Sequence, residues 1–337
     1  MSTIYHDDDA DLEVLRDETI AVVGYGNQGR AQAQNLRDSG LRVIVGNIRD
    51  AALELALRDG FEVLPIADAC ASANAVMLLV PDEILPAVYA EHVAPNLRAG
   101  ALVDFASGYN IAFDGVRPAP DLDVVLVAPR MIGVGVRETY LEGSGFPSFV
   151  AVHQDATGRA RARMLAIAKG IGSTRAGCIE MSMHDEASLD LFTEQGFGPA
   201  FGRVMMSAIE LLVGAGYPPE AVLLELYLSG EFAYSLEKIR QVGMVRQMEF
   251  HSRTSQYGSI TRGARYLGLD ATLKPKMAEI LEEIRSGRFA QEWTHQQEKA
   301  AALFDKVRQV REKLPITQWE DRARAAFGIG DAAEKDE

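Results

Sequence analysis

Thr19 to Gly29, T-I-A-V-V-G-Y-G-N-Q-G, limits the fold more than any other stretch of the chain. An apolar run ends in a glycine-rich turn and passes directly into an alanine-rich helical segment, Arg30 to Leu36, so the stretch reads as strand, tight turn and helix N-terminus. Gly24 permits the turn, Gly26 omits a side chain that would block a pyrophosphate, and Gly29 lets the helix pack close on the strand. Free N–H groups at the helix start favour an anion, and Tyr25, Asn27 and Gln28 complete the turn. A second apolar run, Arg42 to Gly46, leads into Asn47-Ile48-Arg49-Asp50. Asp50 falls about 20 residues past the last glycine, where a ribose hydroxyl is held. The cofactor is therefore NADH or NADPH. Asp50 would accept from a ribose 2′-OH and repel a 2′-phosphate, whereas Arg49 would attract that phosphate; the balance leans to NADH.

Further short apolar runs follow at Ala75 to Val80, Ala101 to Phe105, Val124 to Ala128 and Ser148 to Val152, separated by helical patterns such as Ala51 to Asp59 and Ile84 to His92. Runs rich in Val, Ile and Leu with little alternation suit a parallel sheet buried on both faces. Residues 1–182 are thus expected to form an α/β, doubly wound parallel-sheet domain of the Rossmann type that binds NAD(P). Beyond Met181 long helical patterns take over: Glu186 to Gly196, Pro199 to Ala215, Pro219 to Val242, Leu273 to Ser286 and Phe289 to Lys313. Residues 183–327 are expected to be an all-helical domain, and residues 328–337, small and charged, a frayed tail.

With 337 residues and 47% hydrophobic composition the chain can bury two cores, and a net charge of −14 argues against nucleic acid or an anionic membrane as partner. Cys70 and Cys178 have neither disulfide nor metal spacing and read as buried apolar residues. The N-terminus is acidic where a signal peptide would be basic and then apolar, and no apolar run is expected to reach membrane-spanning length. A soluble cytoplasmic protein is the expectation.

Ligands sit beyond strand C-terminal ends in such sheets, which directs attention to Pro81 and Asp82, to Ser107 in Phe105 to Asn110, and to Arg130 in Ala128 to Gly133. In the helical region Glu186, Asp190 and Glu194 recur every four residues and share one helix face. A solvated acidic face is the plain reading; paired acids there also suit magnesium. Glu225 and Glu231, in an otherwise apolar helix, form a second acidic cluster in need of a partner.

Taken together, the motifs resemble ketol-acid reductoisomerase, the branched-chain amino-acid enzyme in its short bacterial form, over nearly the whole chain. The similar stretches include Tyr5 to Leu12, Gly24 to Gly29, Pro81-Asp82-Glu83, His153 to Gly158, Arg175-Ala176-Gly177, Asp190 to Gln195, Ala215-Gly216-Tyr217, Tyr257-Gly258 and Ile284 to Ala290. The resemblance implies a knotted helical C-domain, a homodimer whose active sites are shared between subunits, and a small carboxylate-bearing substrate. It also implies two steps, a magnesium-assisted alkyl migration and hydride delivery from NAD(P)H. Asp190 and Glu194 match the first pair of family metal ligands, and Ser252 matches a serine that binds the substrate carboxylate.

Several positions depart from the family pattern. Ser107 stands for a histidine, the family's A-P-K-G-P-G-H loop reads Ala128 to Val134 with Arg130 for the lysine, Arg253 replaces an aspartate and Gln256 a glutamate. The family's phosphate-binding serines are absent from Arg49 to Leu53. The second glutamate pair should be spaced i, i+4, yet counting forward gives Glu225 and Ser229, and counting back gives Glu231. On an unbroken helix i and i+6 point about 120° apart, so both glutamates reach one metal pair only through a bulge near Gly230.

These changes lead to the expectation of an NAD(P)H-dependent reductase of a C=O or C=N bond, its isomerase step weakened or lost and its magnesium site in question. Arg130 and Arg253 would hold the substrate carboxylate, and Asp190 or Glu194, its pKa raised by burial, would supply the proton. Two alternatives stay open: a true ketol-acid reductoisomerase, converting 2-acetolactate to 2,3-dihydroxyisovalerate with Glu231 replacing Ser229, and a non-catalytic dinucleotide-binding protein.

Overall fold

Thr19–Val23 is buried at every residue, as a strand must be when helices cover both faces of its sheet. In the computed structural model, which describes residues 2–330, this strand is β2 of a nine-stranded sheet. The others are β1 (Ile4–Tyr5), β3 (Arg42–Gly46), β4 (Glu62–Leu64), β5 (Ala75–Leu78), β6 (Leu102–Phe105), β7 (Asp123–Pro129), β8 (Ser148–Gln154) and β9 (Cys178–Glu180). Their order is β1-β9-β8-β7-β6-β5-β2-β3-β4. From β2 the chain runs outward through β3 and β4, then returns to β5 on the other side of β2. That reversal is the switch point at which such sheets bind ligands.

The sheet is mixed rather than wholly parallel: β8 runs antiparallel to β7, and β1 antiparallel to β9. A short apolar run reads the same in either direction, so the sequence does not reveal the sense of β8. β1, β4 and β9, of two or three residues each, are too short to show periodicity. Cys70 and Cys178 are buried and unpaired, and burial pushes both thiols up to about 12.

The chain divides into two compact units, Met1–Asp190 and Leu191–Glu337. In the second, the expected helix Pro219 to Val242 is interrupted. An α-turn, Pro219–Leu223, passes into a π-helical turn, Leu224–Leu228, and a new helix starts at Glu231 after Gly230, which has φ +81°. Helices Arg253–Gly263 and Pro315–Phe327 were not marked by the apolar pattern. The unit buries a small cluster of Ile209, Val222 and Leu223, while Leu211, Tyr257 and Leu267 are more than half exposed.

One expectation needs correction. Met183–Gly214 forms a 32-residue helical stretch that is long and apolar enough, by length and composition, to cross a membrane. The acids at its start interrupt the apolar run, yet between Glu194 and Gly214 only Arg203 and Glu210 carry charge. Of the expected tail, residues 331–337 lie outside the described residues.

Candidate active site

The cleft at the switch point has a volume of roughly 600 Å³ and is lined by Gly24, Tyr25, Gly26, Asn27, Gln28, Asn47, Asp50, Pro81, Asp82 and Ser107. The glycines divide their work. Gly24 has φ +94°, and a β-carbon there would stand 2.7 Å from the main-chain oxygen of Leu79. A β-carbon on Gly29 would collide with the Gly24 carbonyl, so Gly29 clears the turn itself and does not line the cleft. Gly26 alone faces open space, with nothing within 4 Å of where its β-carbon would be. Room at Gly26 and a helix start at Asn27 fit a pyrophosphate. Tyr25 contributes backbone only: its ring packs on Phe61 at 5.6 Å and its hydroxyl donates to Asp59 at 2.8 Å.

Asp50 caps the helix Ala51–Arg58, its Oδ1 accepting from Leu53 N at 3.0 Å and from Asn47 Nδ2 at 2.8 Å. Its Oδ2 has no hydrogen-bond partner among the described residues. Arg49 is exposed and, contrary to expectation, does not line the cleft. On the opposite rim Asn110 Nδ2 donates to the main chain and carboxylate of Asp82, holding that loop to the one after β6.

Arg130, at the end of β7, is not a free guanidinium. Its Nη2 donates to Glu186 Oε1 and its Nη1 to Asp190 Oδ1, each at 2.8 Å, and its plane lies over the Phe149 ring at 4.8 Å. The expected binder of a substrate carboxylate is thus engaged by two carboxylates of the protein. Glu186 is fully buried, and its Oε2 accepts from Gly108 N at 2.7 Å. Burial pushes its carboxyl up to about 7, against the stabilising pull of the Gly108 N–H and Arg130. The acid of this helix that burial perturbs is therefore Glu186, both of whose oxygens accept hydrogen bonds, whereas Asp190 is 46% exposed. The i, i+4 spacing from Glu186 to Asp190 was the signal that could have assigned Glu186 a role. The same loop is tied to the dinucleotide turn: Gln28 Nε2 donates to Met131 O at 2.8 Å, and a β-carbon on Gly133 would collide with the main chain of Asn27.

Glu194 lies in the π-helical turn Thr193–Phe197 that continues the Asp190 helix, and it has partners of its own. In the second unit Glu225 lies in the π-helical turn and Glu231 begins the next helix, so the chain is broken between them where an unbroken helix would have splayed them. Ser252 caps the helix Arg253–Gly263, its Oγ accepting from Ser255 N at 3.2 Å, and Arg253 is the first helical residue. No hydrogen bond or ion pair joins Glu225, Glu231, Ser252 and Arg253 to one another among the described residues, and no three His, Cys, Asp or Glu side chains gather there as a metal cluster. The donors are all carboxylates, which suit a hard ion such as magnesium, and Asp190 keeps Oδ2 outside the Arg130 fork.

Comparison with known proteins finds matches over nearly the whole chain. Residues 14–177 match the acetohydroxy acid isomeroreductase NADPH-binding domain, and residues 183–328 the ketol-acid reductoisomerase C-terminal domain. A ketol-acid reductoisomerase (NADP(+)) of Methanopyrus kandleri is 43% identical over 98% of this chain and 100% of its own length. One from Pyrobaculum calidifontis is 44% identical over 94% of this chain and 96% of its own. The solved structure of an NADH-preferring ketol-acid reductoisomerase from an uncultured archean has a TM-score of 0.89 at 37% identity, covering 96% of this chain and 98% of that one. A semialdehyde dehydrogenase NAD-binding protein from Cupriavidus necator, 22% identical with a TM-score of 0.58 over 79% of this chain and 99% of that one, shares the fold alone.

Proposed function

The chain belongs to the ketol-acid reductoisomerase family, NAD(P)H-dependent oxidoreductases, and from that premise we propose that it carries out the family's whole reaction. A small 2-hydroxy-3-keto carboxylate such as 2-acetolactate would undergo alkyl migration and then reduction to 2,3-dihydroxyisovalerate. The observation that carries this reading is the helix break at Gly230. A π-helical turn and a left-handed glycine interrupt the helix between Glu225 and Glu231, so the two-residue offset need not set them on different faces. The names of the full-length relatives point the same way. The expectation of a weakened isomerase step accordingly gives way to the alternative.

Asp190 and Glu194 of one copy, with Glu225 and Glu231 of a second, are the residues we assign to magnesium. When bound, magnesium supplies Lewis-acid polarisation of the substrate's oxygens, and NAD(P)H supplies the hydride. The chain's own groups bind and orient. The Gly24 to Gly29 turn receives the pyrophosphate, Asp50 Oδ2 the ribose, and the helix start at Ser252 favours the substrate carboxylate. Glu186, accepting from Gly108 N and from Arg130, holds the guanidinium in place. Asp50 faces the cleft while Arg49 does not, which favours NADH. The sparsely buried helical unit favours pairing with a second copy, and the net charge of −14 favours a soluble, cytoplasmic enzyme.

The deciding experiment is NAD(P)H oxidation with 2-acetolactate, with and without magnesium. A magnesium-dependent turnover is expected. A second reading, reduction without isomerisation, is favoured by one observation, the hold of Arg130 on Asp190 Oδ1. It replaces the first if 2-acetolactate is inert while a 2-keto acid is reduced in the presence of EDTA.

A further inference from the structure

Arg130 grips the carboxylate that is assigned to the divalent ion, and the surroundings keep it from swinging away. One terminal nitrogen donates to Asp190 Oδ1 and the other to Glu186 Oε1, Phe149 lies under the guanidinium plane, and Nε faces the main-chain oxygen of Ala128 at 3.4 Å. Glu186 is itself fixed by Gly108 N. A planar fork engaged on both arms is preorganised in a way that a lysine's rotating point charge is not. We propose that Arg130 is a resident counter-cation of Asp190, which confines that carboxylate to one free oxygen and lowers the divalent-ion affinity of the site below what its carboxylates alone would give. The inference rests on the metal-dependent reading above and adds to it the residue that sets the ion requirement.

Two effects act in the same direction. Oδ1 of Asp190 is spent on a charge-assisted hydrogen bond, so an incoming ion meets Oδ2 alone. A positive charge within a few ångströms of a doubly charged ion also repels it, and ionised Glu186 offsets this only in part because it lies on the far arm of the fork.

The test is a manganese titration followed by electron paramagnetic resonance, on the full-length protein with NADH present. Arg130→Gln should tighten manganese binding about tenfold, the scale of one charge-assisted hydrogen bond released from Asp190. Arg130→Lys, which keeps the charge and loses the fork, should fall between. Because Arg130→Gln leaves Glu186 buried without its counter-charge, the double variant Arg130→Gln, Glu186→Gln is the second measurement. The side-chain amide that takes the place of the Glu186 carboxylate still accepts from Gly108 N, and binding should again be tighter than in the wild type. Wild-type binding with no gain, or a loss, in both Gln variants overturns the proposal and leaves the metal-dependent reading standing. No manganese binding by any form at millimolar concentration overturns both.

Discussion

Glu186 accepts a hydrogen bond from the main-chain N–H of Gly108 at 2.7 Å from a position with no solvent exposure. A β-carbon on Gly108 would stand 2.9 Å from Cα of Met183, so the loop after β6 meets the helix Met183–Phe192 backbone against backbone. One partner carries Ser107 of the cofactor cleft, the other Asp190. Glu186→Ala orphans both the Gly108 N–H and one arm of Arg130, and should cost about 3 kcal/mol in urea unfolding. Glu186→Gln keeps the acceptor and should lose less than half of that. Equal losses would mean that charge, not the Gly108 bond, holds the loop.

The glycine turn allows stability and cofactor binding to be separated. Gly29→Ala drives a methyl into the Gly24 carbonyl and should destabilise the fold by about 1–3 kcal/mol. Gly26→Ala meets nothing within 4 Å among the described residues, so its melting temperature should stay within about 2 °C of wild type. Its NADH affinity, followed by nucleotide fluorescence, should nevertheless fall at least about tenfold, since the methyl occupies pyrophosphate space. A Gly26→Ala protein that binds NADH normally would place the pyrophosphate elsewhere.

Asp50→Ser tests cofactor choice without giving up the helix cap, because a serine hydroxyl can still accept from Leu53 N. It removes the carboxylate that would repel a 2′-phosphate. Wild type is expected to prefer NADH in kcat/KM, and the variant to shift toward NADPH by about tenfold, or roughly 1.4 kcal/mol. A tenfold wild-type preference for NADPH would reverse the assignment.

Asp104, on β6 between Met77 of β5 and Val125 of β7, is fully buried, and neither oxygen has a hydrogen-bond partner of good geometry among the described residues. Burial raises its carboxyl well above the usual range, and the backbone of Val127 only eases that penalty. With the folded value above the unfolded one, near 3.9, its contribution to stability is fully present below about pH 4 and is lost as pH rises toward the folded value. Asp104→Val should therefore raise stability by about 1–3 kcal/mol at pH 8, with a gain that shrinks toward pH 4. Urea midpoints at pH 5 and pH 8 would show it; a variant weaker at both would mean that the carboxyl is satisfied.

What could be read from the residues followed from short-range pattern. Thr19 to Gly29 declared strand, turn and helix because burial on two faces and three glycines at fixed spacing leave few other structures. The place of Asp50 on the cleft was legible for the same reason. The pairing of Arg130 was not, since its partners Glu186 and Asp190 lie 56 and 60 residues onward, and nothing in the loop Ala128 to Gly133 records that the helix comes back to it. The sense of β8 was hidden because its apolar run has no direction. The break at Gly230 was visible only as a mismatch between two counts of the same segment. Its conformation depends on a positive φ, which a glycine permits without announcing.

Gly230 supplies the sharpest test of the whole-reaction reading. Its φ of +81° lies in the left-handed region, and there is open space around the position of its missing β-carbon. Gly230→Ala therefore meets no clash, and its cost of about 1–2 kcal/mol is purely that of backbone conformation. The substituted chain can lower that cost by continuing the helix from Leu228 into Glu231, which would turn Glu225 and Glu231 to different faces. If both glutamates hold the ion, magnesium-dependent turnover of 2-acetolactate should drop at least about tenfold, with a higher magnesium concentration needed for half-maximal rate. Reduction of a supplied 2-keto acid should fall less, because the Gly24 to Gly29 turn is untouched. Unchanged 2-acetolactate turnover and magnesium dependence in Gly230→Ala would remove Glu231 from the metal site and with it the observation on which the proposal stands.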